Sequence, residues 1–228
     1  MRLTLILPLY NEEKNLKKNF YKIYERVMAL GNSEIILAED GSTDGTRLIA
    51  NKLSVLSNVK LITSDKKLGR GKAIKNAIKI AKGKVIGYMD IDLAVPIMYL
   101  PKAVSLIENG NLMVTGSRYV KASVIHRRVK RLVASKAYNY LINIIFLSKV
   151  HDHQCGFKFW SCEFIKKEAK NIKDDHWFFD TEIILRSQKL GIIPYELPVQ
   201  WTEQRSSKVK GSDINYFLSS IIKKFISR

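Results

Sequence analysis

The alternation of short apolar runs with amphipathic helical segments over residues 2–116 constrains the fold most strongly. The runs predict five strands, with the sequences RLTLIL, EIILA, VKLIT, KVIGYM and LMVTG. The segments between them have helical periodicity; after Glu12, apolar residues recur at every third or fourth position from Leu16 to Leu30. Because strands that alternate with helices form βαβ units, the sequence predicts an α/β fold with a mainly parallel sheet flanked by helices.

The second half of the chain is less regular. Residues 127–147 and 179–191 are predicted to form helices, residues 156–160 a strand and residues 192–199 an extended segment. No stretch rich in proline, glycine or serine separates these segments from the first half. We therefore expect a single domain over residues 1–228.

The sequence ends in a predicted amphipathic helix at residues 213–228. Apolar residues share one face of this helix: Ile214, Phe217, Leu218, Ile221, Ile222, Phe225 and Ile226. Such a stripe can dock on the rest of the protein, or it can lie in the interface of a membrane. The sequence leaves both alternatives open.

Polar clusters follow four of the predicted strands at the point where each strand ends. PLYNEE follows the first strand, EDGSTDG the second, DIDLAVP the fourth and GSRY the fifth. The carboxyl ends of parallel strands meet at one edge of a sheet, where ligands bind in open α/β folds. The sequence therefore predicts a ligand site at this edge.

Asp90 and Asp92 are the most specific feature of that edge. In an extended chain, alternate residues share a face, so the two carboxylates would point the same way, about 6–7 Å apart. Two carboxylates this close repel each other unless a positive charge lies between them. Oxygen ligands suit Mg²⁺ or Mn²⁺, with substrate phosphates completing the coordination. The alternative is a pair of solvated loop aspartates.

Two further loops carry groups that suit phosphates and nucleosides. In Gly69-Arg70-Gly71-Lys72, the glycines allow close approach of the backbone to a phosphate, and either cation can neutralise it; the alternative is a plain helix-entry turn. Asp40 can accept hydrogen bonds from a base or ribose, or can form an Asx turn. No GxGxxG follows the first strand and no GxxxxGK[ST] occurs, which argues against dinucleotide oxidoreductases and P-loop NTPases.

The charge of the chain is strongly positive and unevenly distributed. The net charge is +18, from 39 basic and 21 acidic residues. Residues 118–136 contain no acid and a dense set of bases: Arg118, Lys121, Arg127, Arg128, Lys130, Arg131 and Lys136. This composition predicts an anionic partner, either a membrane surface or a phosphorylated substrate, although scattered lysines also occur on ordinary solvated surfaces. No nucleic-acid-binding signature is present, so we expect no nucleic acid partner.

Other features bear on location. No run of 18 or more apolar residues occurs, and Arg2 precedes a short strand, so we expect neither a membrane-spanning helix nor a signal peptide. Cys155 and Cys162 form no CxxC pair and are expected to be reduced thiols of a cytosolic protein.

His151 and His153 flank Asp152 in HDHQCG. No further ligands stand at zinc-like spacing, so these histidines are predicted to be polar loop residues.

Taken in order, these motifs resemble those of family 2 glycosyltransferases with the GT-A fold. The resemblance rests on PLYNEE, EDGSTDGT, GRGKAIKNAIKIAKG, MDIDLAVP, GSRY, QCGFKFW, FDTEIILRSQKLG and SSKV, and it covers nearly the whole chain. Within the family, the chain resembles enzymes that transfer a sugar to dolichyl or another polyprenyl phosphate. Ala94 and the segment QCGFKFW are more similar to the glucosyltransferase branch than to the mannosyltransferases.

The resemblance implies a role for each cluster at the sheet edge. Asp90 and Asp92 would bind Mg²⁺ or Mn²⁺ and, through it, the diphosphate. The nucleotide-sugar site would comprise Pro8, Tyr10, Glu12, Asp40, Lys72, Asp90 and Ile91.

The resemblance also implies which residues act at the reaction centre. Arg118 and Arg131 would hold phosphate there. Arg205 and Lys208 would belong to a loop that closes over donor and acceptor, and this loop is shorter here than in the mannosyltransferases. With Asp92, these four residues form the expected catalytic set.

The function expected from the resemblance is metal-dependent, inverting transfer of a hexose to dolichyl or polyprenyl phosphate. UDP-glucose is the favoured donor, with GDP-mannose as the alternative, and the enzyme would be peripheral on the cytosolic face of a membrane. A lipid phosphate is already ionised and needs no general base, whereas a glycan hydroxyl would need one. Asp180 is the candidate base for that second reaction, or it is simply a helix N-cap.

Overall fold

The computed structural model describes residues 1–204, 216, 217, 219–222 and 224. The strands are β1 (Leu3–Leu9), β2 (Ser33–Glu39), β3 (Val59–Ile62), β4 (Val85–Met89), β5 (Met113–Ser117), β6 (Val124–His126), β7 (Phe157–Ser161), β8 (Tyr195–Pro198) and β9 (Gln200–Thr202). The helices are α1 (Glu13–Met28), α2 (Thr46–Leu53), α3 (Arg70–Ile80), α4 (Leu100–Glu108), α5 (Val129–Phe146), α6 (Cys162–Glu168) and α7 (Phe179–Lys189), with short 3-10 helices at Ile97–Tyr99 and Ala169–Asn171.

The predicted mainly parallel sheet is confirmed. Seven strands lie in the order β3-β2-β1-β4-β7-β5-β8. β7 runs antiparallel to both β4 and β5, whereas the other neighbouring strands pair in parallel. β6 and β9 form a separate two-stranded parallel sheet, which the sequence pattern did not predict.

Side chains of alternate strand residues build a core on each face of the sheet. In β1, Leu5 and Leu7 belong to the core under α1 and α4, whereas Ile6 belongs to the core under α3 and α7. In β4, Met89 belongs to the core under α1 and α4, and Tyr88 belongs to the core under α3 and α7. Because both faces are covered by helices, the central strands are apolar on both faces, as expected for parallel strands.

The helical periodicity of α1 is also confirmed. Leu16, Phe20, Ile23 and Val27 are all buried against the sheet. This face supplies the tertiary packing that stabilises an amphipathic helix. α1 thereby fixes the position of the loop that connects β1 to it.

The described residues of the tail pack against the protein. Ile221 is buried in a cluster with Ile142, Phe146 and Phe178. The rings of Phe217 and Tyr138 lie 5.1 Å apart.

Ile222, which was predicted to share the apolar face, is exposed. The part of the tail that the structure describes therefore favours docking on the protein, while the full helix at 213–228 stays a prediction. No helix within the described ranges combines the length and apolarity needed to cross a bilayer.

Candidate active site

The four polar clusters lie at one edge of the sheet, as predicted. β1, β2 and β4 are adjacent and parallel, and β5 runs in the same direction because antiparallel β7 lies between it and β4. The strands end at Leu9, Glu39, Met89 and Ser117, respectively. The loops that follow them form the candidate active site.

The carboxylate pair lies on a turn, so the expectation of an extended Asp90-x-Asp92 is wrong. The backbone N–H of Leu93 donates to the carbonyl of Asp90 over 3.3 Å, and Leu93 adopts a left-handed φ of 56°. Ile91 is buried, and its carbonyl accepts a hydrogen bond of 2.8 Å from Asn19. Ile91 therefore anchors the turn between the two carboxylates.

The two carboxylates differ in their surroundings. Burial, together with the charge of Asp90, raises the pKa of Asp92 to about 6. The carboxylate of Asp92 accepts a hydrogen bond of 3.0 Å from the backbone N–H of Ala94. Asp90 instead lies 2.6 Å from the guanidinium of Arg70. Of the two carboxylates Asp90 and Asp92, Asp90 is thus the one that forms an ion pair with Arg70.

Arg70 connects the carboxylate pair to the interior. Its second terminal nitrogen lies 2.7 Å from Asp180, and the guanidinium lies over the rings of Tyr88 and Trp177 at 4.9 and 5.3 Å from their centroids. The loop Gly69-Arg70-Gly71-Lys72 therefore places the guanidinium of Arg70 beside the carboxylate pair. The resemblance instead implies Lys72 as a residue of the nucleotide-sugar site, and its ammonium lies 3.6 Å from Asp175. The glycines on either side of Arg70 were the signal for its role.

Asp180 is a buried residue of α7 with both carboxylate oxygens engaged. One oxygen accepts a hydrogen bond from the hydroxyl of Tyr88 and lies 3.5 Å from the ammonium of Lys158, and the other pairs with Arg70. The N-cap of α7 is Phe178, so the N-cap alternative for Asp180 is wrong.

Gly156 provides the space that Asp90 occupies. A Cβ atom at this position would lie 1.9 Å from a carboxylate oxygen of Asp90 and 3.1 Å from Arg70. The backbone carbonyl of Gly156 also accepts a hydrogen bond of 3.1 Å from the N–H of Asp90. The glycine of QCGF therefore has a direct role in holding the pair.

The carboxylate pair is suited to a divalent cation. Its donors are oxygens, and the raised pKa of Asp92 reflects burial and negative charge that a cation would offset. Within the described residues, no group of three or more His, Cys, Asp or Glu side chains could hold a metal ion. Protein ligands would therefore be few, as is usual where Mg²⁺ is bound together with substrate phosphates.

The residues expected around the nucleotide surround the ends of β1 and β2. Pro8 is part of β1, and the ammonium of Lys67 lies 4.0 Å from the centroid of the Tyr10 ring. The backbone N–H of Glu12 donates to the hydroxyl of Thr46 over 2.7 Å. The structure thus brings these residues to the edge where the carboxylate pair lies.

Asp40 fastens the loop that carries Arg70. Its two oxygens accept hydrogen bonds of 2.7 and 2.9 Å from the backbone N–H groups of Leu68 and Gly69. Burial raises its pKa above the ordinary value for aspartate. Asp40 therefore shapes the loop, and its contact with a nucleotide stays a prediction.

Arg118 lies in a buried ion pair with Asp152. Its side-chain nitrogens lie 2.6 and 2.7 Å from the two carboxylate oxygens, and its backbone N–H donates to the same carboxylate over 2.9 Å. Burial would raise the pKa of Asp152, but the charge and hydrogen bonds of Arg118 outweigh it and lower that pKa. Phosphate binding by Arg118 stays a prediction, since two of its nitrogens are engaged inside the protein.

Arg127 is a further cation that the motifs did not single out. Its guanidinium and that of Arg118 lie 5.1 and 5.5 Å from the ring centroid of Trp201. The Nε and Nη1 atoms of Arg127 are buried and have no hydrogen-bond partner among the described residues. Burial and the charge of Arg118 lower its pKa. The dense basic run was the signal for this position.

Of the other three cations expected at the reaction centre, the structure describes Arg131. Arg131 forms an ion pair with Glu203, which also accepts a hydrogen bond of 2.9 Å from the backbone N–H of Arg128. Arg205 and Lys208 lie outside the described residues.

His153 lies in the loop before β7, as predicted, but its side chain is fully buried. Its ring nitrogens lie 2.8 Å from the side-chain oxygens of Asn139 and Ser148. In the neutral ring, Nδ1–H donates to the amide oxygen and Nε2 accepts from the hydroxyl. His151, by contrast, is exposed and contacts Glu196.

The buried imidazole predicts a loss of stability in acid. Burial lowers the pKa of His153 to about 4, against about 6.5 in an unfolded chain. As the pH falls below about 6.5, the unfolded chain takes up the proton before the folded protein does. The free energy of unfolding therefore decreases down to about pH 4, by about 3 kcal/mol in total from this group.

Urea unfolding at about pH 7 and pH 5 measures this effect. The variant His153→Gln should lose less stability than the wild type between the two values. An equal loss in both proteins would contradict the assignment of this effect to His153.

The sequence of the chain is similar to those of known glycosyltransferases. Residues 4–169 match Glycosyl transferase family 2. The chain is 35% identical, over 92% of its length, to glycosyltransferase AglD of Haloferax volcanii, and spans 34% of that protein. It is 31% identical to dolichyl-phosphate beta-glucosyltransferase ALG5A of Trichomonas vaginalis, over 97% of this chain and 72% of the relative. Dolichol-phosphate mannosyltransferase of Pyrococcus furiosus is 29% identical, over 97% and 63%.

The fold has solved counterparts as well. Glucosyl-3-phosphoglycerate synthase from Mycobacterium tuberculosis, crystallised with Mn²⁺, UDP and glucosyl-3-phosphoglycerate, superimposes with a TM-score of 0.70 over 99% of this chain and 79% of that one, at 16% identity. That likeness establishes the GT-A fold. Because the family match covers most of the chain and includes the carboxylate pair, Arg70 and Gly156, the chain belongs to glycosyl transferase family 2.

Proposed function

We propose that this glycosyltransferase transfers a hexose from a nucleotide diphosphate sugar to dolichyl or another polyprenyl phosphate, with inversion at the transferred carbon. The observation that carries the proposal is the pair Asp90 and Asp92 beside Arg70 at the carboxyl edge of the sheet. A leaving diphosphate requires concentrated positive charge, and this arrangement is suited to assembling it.

The carboxylate pair and Arg70 would serve the donor. Mg²⁺ or Mn²⁺ held by Asp90 and Asp92 would supply charge that stabilises the departing diphosphate. Arg70 orients Asp90, because its planar guanidinium contacts both Asp90 and Asp180. Gly156 lets Asp90 lie close to the backbone in this orientation.

The arginines beside Trp201 would serve the acceptor. Arg127 has buried N–H groups without hydrogen-bond partners among the described residues, and the nearby charge of Arg118 disfavours a second cation there. An anionic phosphate would satisfy these donors and relieve the repulsion. We expect Arg127 to bind the acceptor phosphate while Arg118, fixed by Asp152, shapes the site.

The surroundings of Asp180 favour a phosphate over a hydroxyl acceptor. A general base must reach the proton that it abstracts. Asp180 is buried, and both of its oxygens are engaged by Tyr88, Lys158 and Arg70. An ionised phosphate needs no such base, so the reaction on a lipid phosphate is consistent with this arrangement.

We favour glucose as the transferred sugar, because the segment around Ala94 resembles the glucosyltransferase branch. Ala94 is buried directly beside Asp92, and its carbonyl accepts a hydrogen bond of 3.0 Å from Thr202. The name of the Trichomonas vaginalis relative agrees with glucose, whereas that of the Pyrococcus furiosus relative keeps GDP-mannose as the second candidate.

Turnover with matched donors and acceptors tests the proposal. UDP-glucose, UDP-N-acetylglucosamine and GDP-mannose would each be supplied with a short polyprenyl phosphate or with the same polyprenol lacking phosphate. We expect glucose transfer to the phosphate alone, dependent on Mg²⁺ or Mn²⁺ and abolished by chelation. Equal transfer to the polyprenol would contradict the phosphate acceptor, and a preference for GDP-mannose would replace glucose by mannose.

A further inference from the structure

α5 is apolar on two opposite faces, and only one of them is covered by the described residues. With about 100° between successive helix residues, Asn139, Ile142 and Phe146 point to one side, and all three are buried. The opposite side carries large exposed apolar residues that we term the outer stripe: Val129, Val133, Tyr140, Leu141 and Ile144. A surface helix of a soluble protein normally presents polar residues to water, and α5 departs from that pattern.

The outer stripe is surrounded by positive charge. α5 contains Lys130, Arg131 and Lys136 and no acidic residue. Arg127 and Arg128 precede the helix directly. Apart from Glu203, which pairs with Arg131, the charged neighbours named here are basic, and an apolar surface in such surroundings is complementary to an anionic lipid surface, in which acyl chains lie beneath negative headgroups.

The described residues of the tail do not cover the outer stripe. Its described residues Phe217 and Ile221 pack with Tyr138 and Ile142, which belong to the covered side of α5. The described tail residues therefore pack on the covered side of α5 and leave the outer stripe exposed.

The dimensions of α5 suit a helix that lies in the membrane plane. Its 18 residues span about 27 Å. Its sequence is too polar to cross a bilayer, in line with the absence of any spanning helix from the described ranges. Amphipathic helices that bind membranes laterally bury one apolar face at the level of the headgroups and acyl chains.

We propose that the outer stripe is the surface through which the protein lies on an anionic membrane. This inference deepens the proposed function and rests on it in one respect, the polyprenyl phosphate acceptor. The amino end of α5 adjoins Arg127, which lies beside Arg118 after β5 at the sheet edge. A protein that lies on α5 would hold these guanidiniums at headgroup height, where the phosphate of a polyprenyl lipid is located.

Vesicle sedimentation with matched variants tests this surface. The double variant Val133→Glu/Ile144→Glu changes two side chains that are 60% and 55% exposed, so we expect it to fold normally. The control Leu48→Glu/Val55→Glu changes two apolar side chains at or just after α2 that are 63% and 84% exposed. Vesicles of phosphatidylcholine with about 30% phosphatidylglycerol would bind the wild type and the control, and bind the α5 variant at least about tenfold more weakly.

Separate readouts distinguish this inference from the proposed function. Asp92→Asn should bind vesicles as the wild type does, because binding needs no chemistry. The α5 variant should still turn over a short, water-soluble polyprenyl phosphate. Unchanged vesicle binding by the α5 variant, or an equal loss in the α2 control, would overturn the inference. It would also be overturned if the wild type ignored vesicles and formed dimers that the α5 variant did not form, because the stripe would then bind a second copy.

Discussion

Replacing Asp152 with alanine is expected to lower the free energy of unfolding by about 3–5 kcal/mol, because it leaves the charge of Arg118 buried without its partner. The pair is almost completely enclosed, and three hydrogen bonds join the two residues. Urea unfolding monitored by circular dichroism measures the change.

A double-mutant cycle separates the ion pair from ordinary packing. Arg118→Met should also be strongly destabilising, since it leaves Asp152 charged and buried. The double variant Arg118→Met/Asp152→Ala removes both charges and should be clearly more stable than the sum of the two single effects predicts. Additive single effects would contradict a coupled ion pair at this position.

The edge of the sheet was predictable because local patterns encode it. Apolar runs and helical spacing fix the order of strands and helices, and that order places the loops after β1, β2, β4 and β5 together. The carboxylates Asp90 and Asp92 stand out because two charges directly follow an apolar strand. None of these inferences needed a contact between residues distant in sequence.

The partners of the site residues were not predictable, because they depend on long-range packing. Arg70 contacts Asp180 across a separation of 110 residues, and Arg118 contacts Asp152 across 34. Nothing in the local sequence around either arginine specifies these carboxylates. Likewise, the sequence around β7 indicates a strand but not its antiparallel direction, which is set by its neighbours β4 and β5.

The turn at the carboxylate pair illustrates a second limit. The alternation of charged and apolar residues in Asp90-Ile91-Asp92 matches a strand period, and this led to the expectation of an extended chain. Ile91 is instead buried with its carbonyl bonded to Asn19 of α1, so tertiary packing overrides the local pattern.

Replacing Asp92 with asparagine is expected to lower kcat/KM by about a thousandfold, which corresponds to about 4 kcal/mol of transition-state stabilisation. The amide keeps the shape of the carboxylate and removes its charge, so the proposed cation would lose one of its two anionic ligands. Folding should be unaffected or slightly improved, because burial and the charge of Asp90 raise the pKa of Asp92 and make its ionised form unfavourable. Titration of Mn²⁺ with the nucleotide sugar present should show weaker metal binding.

Asp90→Asn should produce a similar loss of turnover for a different reason. It removes a metal ligand and also leaves Arg70 paired with Asp180 alone, so both donor-side cations lose their position. Gly156→Ala should reproduce part of this defect with both carboxylates present, since its Cβ would displace Asp90. Asp65→Asn, at a fully exposed carboxylate in the loop after β3, is the matched control and should leave turnover unchanged. If Asp92→Asn retained both turnover and Mn²⁺ binding, the cation site would have to lie elsewhere, and the repulsion between Asp90 and Asp92 would be relieved by Arg70 alone.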